Sequence, residues 1–460
     1  MSIPPLAGGA AGHHALRPLL AVVLGALQEG AEARGGPLPA GGPDTVDARV
    51  RDTLTPVLPD HGTGADEALH TLVRTLAHGA ADPADPRCAA HLHTPPLALA
   101  VAADLAASVL NPSLDSWDQA PAASALETVV AEALAAEVYP HAAHPDALVT
   151  TGGTEANQLA LLLARERHGA VHVVCGAHTH HSVRRAAWLL GLPEPVTVPA
   201  PSGTTDLAAL DDALTGLHGP RRPVLVVATA GTTDTGQIDP LADIAALCHR
   251  HGAEFHVDAA YAGPLLFSAR HRPRLNGLEH ARTVTLDLHK LGWQPVAAGL
   301  LAVHDRTHLA PLRHTADYLN AEDDTEAGLP DLLGRSLRTT RRPDILKIAV
   351  TLRALGRTGL ADLVDRTCSA AQHLADLVDQ HPALELHDRP ALSTVLLRPR
   401  DATDTTVAGI RRSLLYEGRA VFGRAHTDGR LWLKATLLNP HTTPDDLATL
   451  IALVEGSTLR

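Results

Sequence analysis

Between about residues 86 and 345 the chain alternates short apolar segments with amphipathic stretches at helical spacing, and this alternation constrains the fold more than any other feature. Pro223 to Thr229 (Pro-Val-Leu-Val-Val-Ala-Thr) is apolar up to its last residue, as a strand covered on both faces requires. Ala147 to Thr151, Val171 to Cys175 and Thr283 to Leu286 read as further strands. Asn157 to Arg167, a segment through Trp188 to Leu190, and Leu241 to His251 read as helices. Repeated βα units predict an α/β fold with a mostly parallel central sheet covered by helices. The loops that follow parallel strands gather at one edge of the sheet, where such folds bind ligands.

The flanks read differently. Residues 1–85 alternate Ala/Leu helical patterns with Gly/Pro breaks (Gly35-Gly36-Pro37, Gly41-Gly42-Pro43) and predict an N-terminal helical segment. Such a segment has no core of its own and is expected to pack on a partner subunit. Residues 346–460 predict a smaller α+β domain: helices near 344–357 and 360–379, strands near 392–398 and 430–437, and a last helix from Pro444. Residues 86–345 form the large α/β domain of this division.

Two strand ends carry the chemistry. The segment Thr285 to Trp293 ends a β-branched strand in Asp287-Leu288-His289-Lys290 and turns at Gly292. A bare ammonium at the end of a buried strand is costly, whereas a lysine nitrogen bound to an aldehyde as a Schiff base is not. The segment Glu254 to Gly263 ends another apolar strand at Asp258, followed by the small Ala259 and Ala260. A lysine for an aldehyde and a carboxylate for a pyridinium nitrogen are the two polar requirements of pyridoxal 5'-phosphate.

Other residues fit that pairing. Gly152-Gly153-Thr154 joins a strand to a helix, and a glycine-lined helix start offers N–H groups to a phosphate, with Thr154 able to cap the helix or donate its hydroxyl. His180, just after the strand 171–175, is placed to stack on a flat ring, and a capping or surface role is open to it as well. Thr233 follows the strand 223–229 and lines the same edge, and His289 faces the phosphate.

Composition excludes several alternatives. A net charge of −13 leaves no phosphate-neutralising face for a nucleic acid. The basic run Arg338-Thr339-Thr340-Arg341-Arg342 is local and reads as structural or surface. Cys88, Cys175, Cys248 and Cys368 are scattered with no CxxC pair, which points to a reducing cytoplasm rather than to disulfides. Leu19 to Leu27 lacks the basic flank of a signal segment and runs on into Gln28-Glu29-Gly30 as a helix end does. No apolar run reaches the ~18 residues of a membrane span. The 29 histidines include dense groups at 91–93, 141–144 and 178–181, none in an HExxH or Cys-paired pattern, so no metal site is expected.

With these residues in view, the chain resembles the group II pyridoxal-phosphate-dependent amino acid decarboxylases. The resemblance rests on Ser116-Trp117, TGGTEAN at 151–157, His180, HVDAAYAG at 256–263 and DLHKLGWQP at 287–295, and continues through LWLKATLLNP at 431–440. Within the family the runs 110–119, 316–320 and 336–342 look nearest the bacterial diaminobutyrate, lysine and ornithine branch. The resemblance implies the PLP-dependent transferase type I fold and a homodimer with shared active sites. It also implies Lys290 as Schiff-base lysine, Asp258 as pyridinium partner and His180 as stacking residue. Gly153, Thr154 and His289 then hold the phosphate, Thr233 and Ala260 flank the ring, and His93 and Trp117 line the substrate pocket.

The implied reaction is decarboxylation of an L-amino acid, a basic one being favoured; another amino acid, oxidative deamination or amino transfer on the same scaffold is the alternative. Aromatic amino acid decarboxylases of animals place a tyrosine on a loop matching 320–335, and this chain has none there, its place falling near Leu332. His180, Lys290 or water is left as the proton donor. Asp115, Asp118, Glu322, Asp323 and Asp324 lie in segments that reach toward a distal ammonium, and the 322–324 run also reads as a solvated loop.

Overall fold

The computed structural model describes residues 3–201, 203–217 and 223–458. The chain divides into two compact units, one made of 96–368 with 390–393 and the other of 1–95 with 369–389 and 394–460. The first 95 residues therefore share a unit with the C-terminal part instead of forming a segment of their own. The division near 368 falls inside the helical run Ile345–Gln380, which is interrupted only where Gly356 adopts φ 60°.

In the larger unit seven strands form one sheet. They are β1 (Asp146–Thr150), β2 (His172–Gly176), β3 (Val196–Val198), β4 (Val224–Thr229), β5 (Glu254–Ala259), β6 (Thr283–Asp287) and β7 (Gly299–Val303), in the spatial order β1-β7-β6-β5-β4-β2-β3. Pairs β3/β2, β2/β4, β4/β5 and β5/β6 are parallel; β7 alone runs against its neighbours. The expected mostly parallel sheet is present, and β3 and β7 are strands beyond those expected from the sequence. β1, β4, β6 and β7 are buried along their whole length, as strands covered on both faces are.

The helix Gly153–His168 packs on the sheet with Leu159 and Leu163 against Leu148 and Leu301, and on the other side of the helix Leu161 and Ala164 join Val173, Val183 and Leu225. The basic run at 338–342 is structural: Arg341 is buried and holds Glu127 through two bonds of 2.9 Å, while Arg338 meets Glu155 and Arg342 meets Asp104. A planar guanidinium and a carboxylate matched in this bidentate way satisfy each other without water.

The smaller unit has a five-stranded sheet in the order Cys88–Ala89, Val421–Thr427, Arg430–Thr436, Thr394–Pro399, Leu384–Leu386, antiparallel except for the first pair. Its hairpin turns through Asp428 and Gly429, both at positive φ, as a two-residue loop demands. One face of the sheet packs Val395, Leu397, Leu433 and Ala435 against Val407 and Leu414 of the helix Asp404–Tyr416 and Leu450 and Val454 of the helix Pro444–Thr458. No helix among the described residues is long and apolar enough to cross a membrane.

Candidate active site

The turns after β1, β2, β4, β5 and β6 leave the sheet at the same edge, and the predicted residues sit on them. Lys290 lies three residues past the end of β6, its Nζ 2.8 Å from Asp287 Oδ2. Asp287 is almost wholly buried, and its Oδ1 has no hydrogen-bond partner among the described residues. This carboxylate is the counter-charge that makes a lysine tolerable at a buried strand end. The lysine is conspicuous in the sequence, whereas the aspartate three positions earlier carries no signal of its role there.

Asp258 ends β5 beside β4 and β6 and is 6% exposed. Its Oδ1 accepts the backbone N–H of Ala260 at 3.1 Å and its Oδ2 accepts from Asn157 Nδ2 at 2.8 Å. His180 lies in the turn after β2, half-buried, with Nδ1 2.9 Å from Ser182 Oγ and within 3.3 Å of the Ser182 N–H. Burial pushes the His180 pKa down, and the nearby Asp258 charge opposes part of that shift. Asn157 and Ser182 complete the group, and neither stood out in the sequence beyond the TGGTEAN run.

Glycines make room at the start of the helix Gly153–His168. A Cβ on Gly153 would lie 3.0 Å from the Ala260 methyl and 3.2 Å from Asp287 Oδ2; one on Gly299 would come within 2.5 Å of the Gly152 Cα. A side chain at 299 would collide with the Gly152 backbone, and one at 153 would be tight against Ala260, so backbone and strand ends approach each other closely. His289 packs against Gly152, accepts the Ala298 N–H on Nδ1 at 3.2 Å, and so keeps its proton on Nε2; burial pushes its pKa down. Thr154 is in the first helical turn, exposed, and makes no capping bond; the structure corrects the expectation that it caps the helix. Glu155 instead accepts the N–H and hydroxyl of Thr151, the residue before the N-cap, at 2.6 and 2.7 Å, so the first-turn N–H groups carry no side-chain cap.

The remaining predicted residues are more scattered. Ala260 is buried beside Gly153, and Thr233 is exposed in the turn after β4. Trp117 is 40% exposed on the loop 111–120, with no hydrogen bond or ring contact to the Lys290 group among the described residues. His93 belongs to the smaller unit, where burial lowers its pKa. Asp115 is buried and already accepts from Ser113 and Gln119, Asp118 accepts from Ser116, and Glu322 to Asp324 are exposed on a short helix. The Asn320–Arg335 stretch is anchored at its end by Arg335, which grips Asp146 and the Ala147 carbonyl.

The match to a family model described as the pyridoxal-dependent decarboxylase conserved domain spans residues 49–399. The chain belongs to the pyridoxal-dependent decarboxylases. It is 42% identical, over 89% of its length and 85% of the relative's, to an L-2,4-diaminobutyrate decarboxylase of Rhizobium meliloti strain 1021. An L-2,4-diaminobutyrate decarboxylase of Acinetobacter baumannii is 31% identical over 85% of this chain and 84% of its own. Among solved structures, the glutamate decarboxylase domain of a diaminobutyrate-pyruvate transaminase and L-2,4-diaminobutyrate decarboxylase from Vibrio parahaemolyticus superposes with a TM-score of 0.87 at 30% identity, covering 99% and 98% of the two chains.

The site of this pyridoxal-dependent decarboxylase suits its cofactor. A primary amine, a buried carboxylate held as an acceptor, an imidazole and a glycine-lined helix start share one edge, and a Cβ at Gly153 would be tight against Ala260 and Asp287. These donors are what an aldehyde, a protonated ring nitrogen and a phosphate call for.

The histidines of this decarboxylase make its stability acid-sensitive. His78, His91, His93, His180, His256, His271, His289 and His308 all shift down, with burial the largest cause in each; His256 and His308 reach about 4. An unfolded histidine takes up a proton as pH falls through about 6.5, while the folded ones resist until lower pH. The unfolded state then binds more protons, so stability must drop between pH 6.5 and 4.5. Depressed carboxylates such as Glu254 act only below that window. Urea midpoints at pH 7.0, 6.0 and 5.0 should fall in that order, and a His256→Asn variant should flatten the slope. Equal midpoints across the range would refute the account.

Proposed function

We propose that this decarboxylase acts on a basic L-amino acid, with L-2,4-diaminobutyrate first, releasing carbon dioxide and leaving 1,3-diaminopropane. The observation that carries the substrate is the 42% identity over most of both chains to a relative of that name. Bound pyridoxal phosphate supplies an aldehyde for the substrate amine and a ring that takes up the electron pair left by carbon dioxide.

The chain's residues do the rest. Lys290 Nζ would hold the cofactor aldehyde and, when free of it, lies 2.8 Å from Asp287 Oδ2. Asp258 keeps the ring nitrogen protonated. His180 Nε2 and Lys290 Nζ are the groups able to place a proton on the α carbon, a role consistent with the absence of a tyrosine from 320–335. Gly153, Thr154 and His289 hold the phosphate, Thr233 and Ala260 border the ring, and Trp117 and His93 contact substrate. Shared active sites in a cytoplasmic homodimer complete the proposal, supported by the family and by four cysteines free of disulfides.

A panel of L-2,4-diaminobutyrate, ornithine, lysine, aspartate, glutamate, tyrosine and valine, scored for carbon dioxide and amine, tests it. Highest kcat/KM for diaminobutyrate is expected. A preference for an acidic or aromatic member would overturn the substrate, and keto acid formed without carbon dioxide would overturn the reaction.

A further inference from the structure

Asn157 is completely buried in the helix Gly153–His168, about one turn from the apolar Ala160 and Leu161. All of its side-chain hydrogen-bonding capacity is used. Nδ2 donates to Asp258 Oδ2 at 2.8 Å and to Ser182 Oγ at 2.9 Å. Oδ1 accepts from Thr285 Oγ1 at 2.8 Å and lies 3.0 Å from His256 Nε2. A buried amide with every donor and acceptor matched is a specification, since each bond that failed would leave an unpaired polar atom in a dry site.

Chemistry decides which way the amide faces. Reversed, its oxygen would meet the oxygen of a carboxylate, which has no proton to give. With Nδ2 on Asp258, the neighbouring bonds acquire a direction. His256 turns its Nε2 to Asn157 Oδ1, and its Nδ1 lies 2.8 Å from Thr283 Oγ1 and 3.0 Å from the Thr283 carbonyl oxygen. Ser182 Oγ accepts from Asn157, so its own proton goes to His180 Nδ1. His180 then holds its single proton on Nε2, the ring nitrogen that makes no hydrogen bond among the described residues.

We propose that Asn157 is a positioning residue that sets Asp258 and His180 together. One amide holds the Asp258 carboxylate as an acceptor and, through Ser182, holds the His180 imidazole neutral with Nε2–H available to a bound molecule. The proposal rests on the reading of Asp258 as the ring-nitrogen partner and His180 as the stacking residue. It adds that the two are ordered by a shared group and do not act independently. An aspartate at 157 would contest a proton with Asp258 and draw the Ser182 hydroxyl away from His180. Cofactor affinity and His180 protonation would therefore change in one variant.

Full-length Asn157→Asp and Ser182→Ala chains test this, with two readouts on the cofactor-free protein. The first is the pyridoxal phosphate dissociation constant by equilibrium dialysis. The second is the pH dependence of diethyl pyrocarbonate modification of His180, followed by peptide mass. Asn157→Asp is expected to weaken cofactor binding about tenfold or more, the scale seen when a group that orients a ligating residue is lost. It should also move the His180 profile to higher pH, because Nδ1 loses a donor that favours the neutral ring. Ser182→Ala, a smaller change, should move the His180 profile in the same direction while the cofactor constant changes far less.

Wild-type values for both readouts in Asn157→Asp, or an unmoved His180 profile in Ser182→Ala should the first variant not fold, would overturn the proposal. Asp258→Asn and Lys290→Ala serve as references. Wild-type cofactor binding in those two would bring down the site reading itself and not the role of Asn157 alone.

Discussion

Lys290→Ala is expected to abolish measurable decarboxylation, by about 10³-fold or more, because one nitrogen supplies both the covalent attachment and a proton route. Borohydride reduction of the wild-type holoenzyme should attach the cofactor to the peptide carrying Lys290, and the variant should give no such peptide. The structure adds a consequence for stability. Removing Lys290 leaves Asp287, 2% exposed and already short of a partner for Oδ1, with His289 Nε2 at 3.6 Å as its remaining ion-pair partner among the described residues. Leaving a buried carboxylate without its partner costs about 3–5 kcal/mol, so the variant should also lose urea resistance near neutral pH. A Lys290→Ala/Asp287→Asn double variant should recover that stability and none of the activity. Carbon dioxide release by Lys290→Ala at the wild-type rate would show that the amine is structural.

Asp287 also marks where sequence reading stops. Lys290 and Asp258 were legible because a charged residue that ends an apolar strand is conspicuous in a one-dimensional pattern. Asp287 sits in the same nine-residue run, yet its value comes from the turn that folds Nζ back to 2.8 Å from its carboxylate. Asn157 was hidden for a related reason. One polar residue in a helix reads as surface, and only its burial, together with partners from β5, β6 and the turn after β2, shows otherwise.

Direction and grouping were likewise less visible than element type. The strands at β1, β2, β4 and β6 and the helix Leu241–His251 follow from apolar runs and periodicity, and the structure places them within a residue or so. β7 escaped because Gly299–Val303 follows β6 through a short connection with no crossover helix, so nothing in the sequence announces an antiparallel return. The grouping of the first 95 residues depends partly on the pairing of Cys88 and Ala89 with Val421 and Phe422, a contact between segments too distant in sequence for local patterning to reveal.

Asp258→Asn separates charge from shape at the second strand end. Asparagine is nearly isosteric and can still accept from Asn157 Nδ2 with its amide oxygen. Its NH2 group would then face the Ala260 N–H, a donor against a donor where Asp258 Oδ1 now accepts at 3.1 Å. Turning the amide over moves the same conflict onto Asn157. The variant therefore loses the negative charge in every arrangement and one hydrogen bond in either orientation. Without the carboxylate the ring nitrogen has no partner to keep it protonated, and kcat is expected to fall by about 10²–10⁴-fold, the range associated with losing a positioned acid–base group. A second, signed effect follows from His180. The Asp258 charge raises the His180 pKa against the larger effect of burial, so its removal should lower that pKa further and move the His180-dependent limb of the pH–rate profile to more acidic values. Full activity in Asp258→Asn, or a limb displaced toward alkaline pH, would contradict the placement of this carboxylate beside both the cofactor ring and His180.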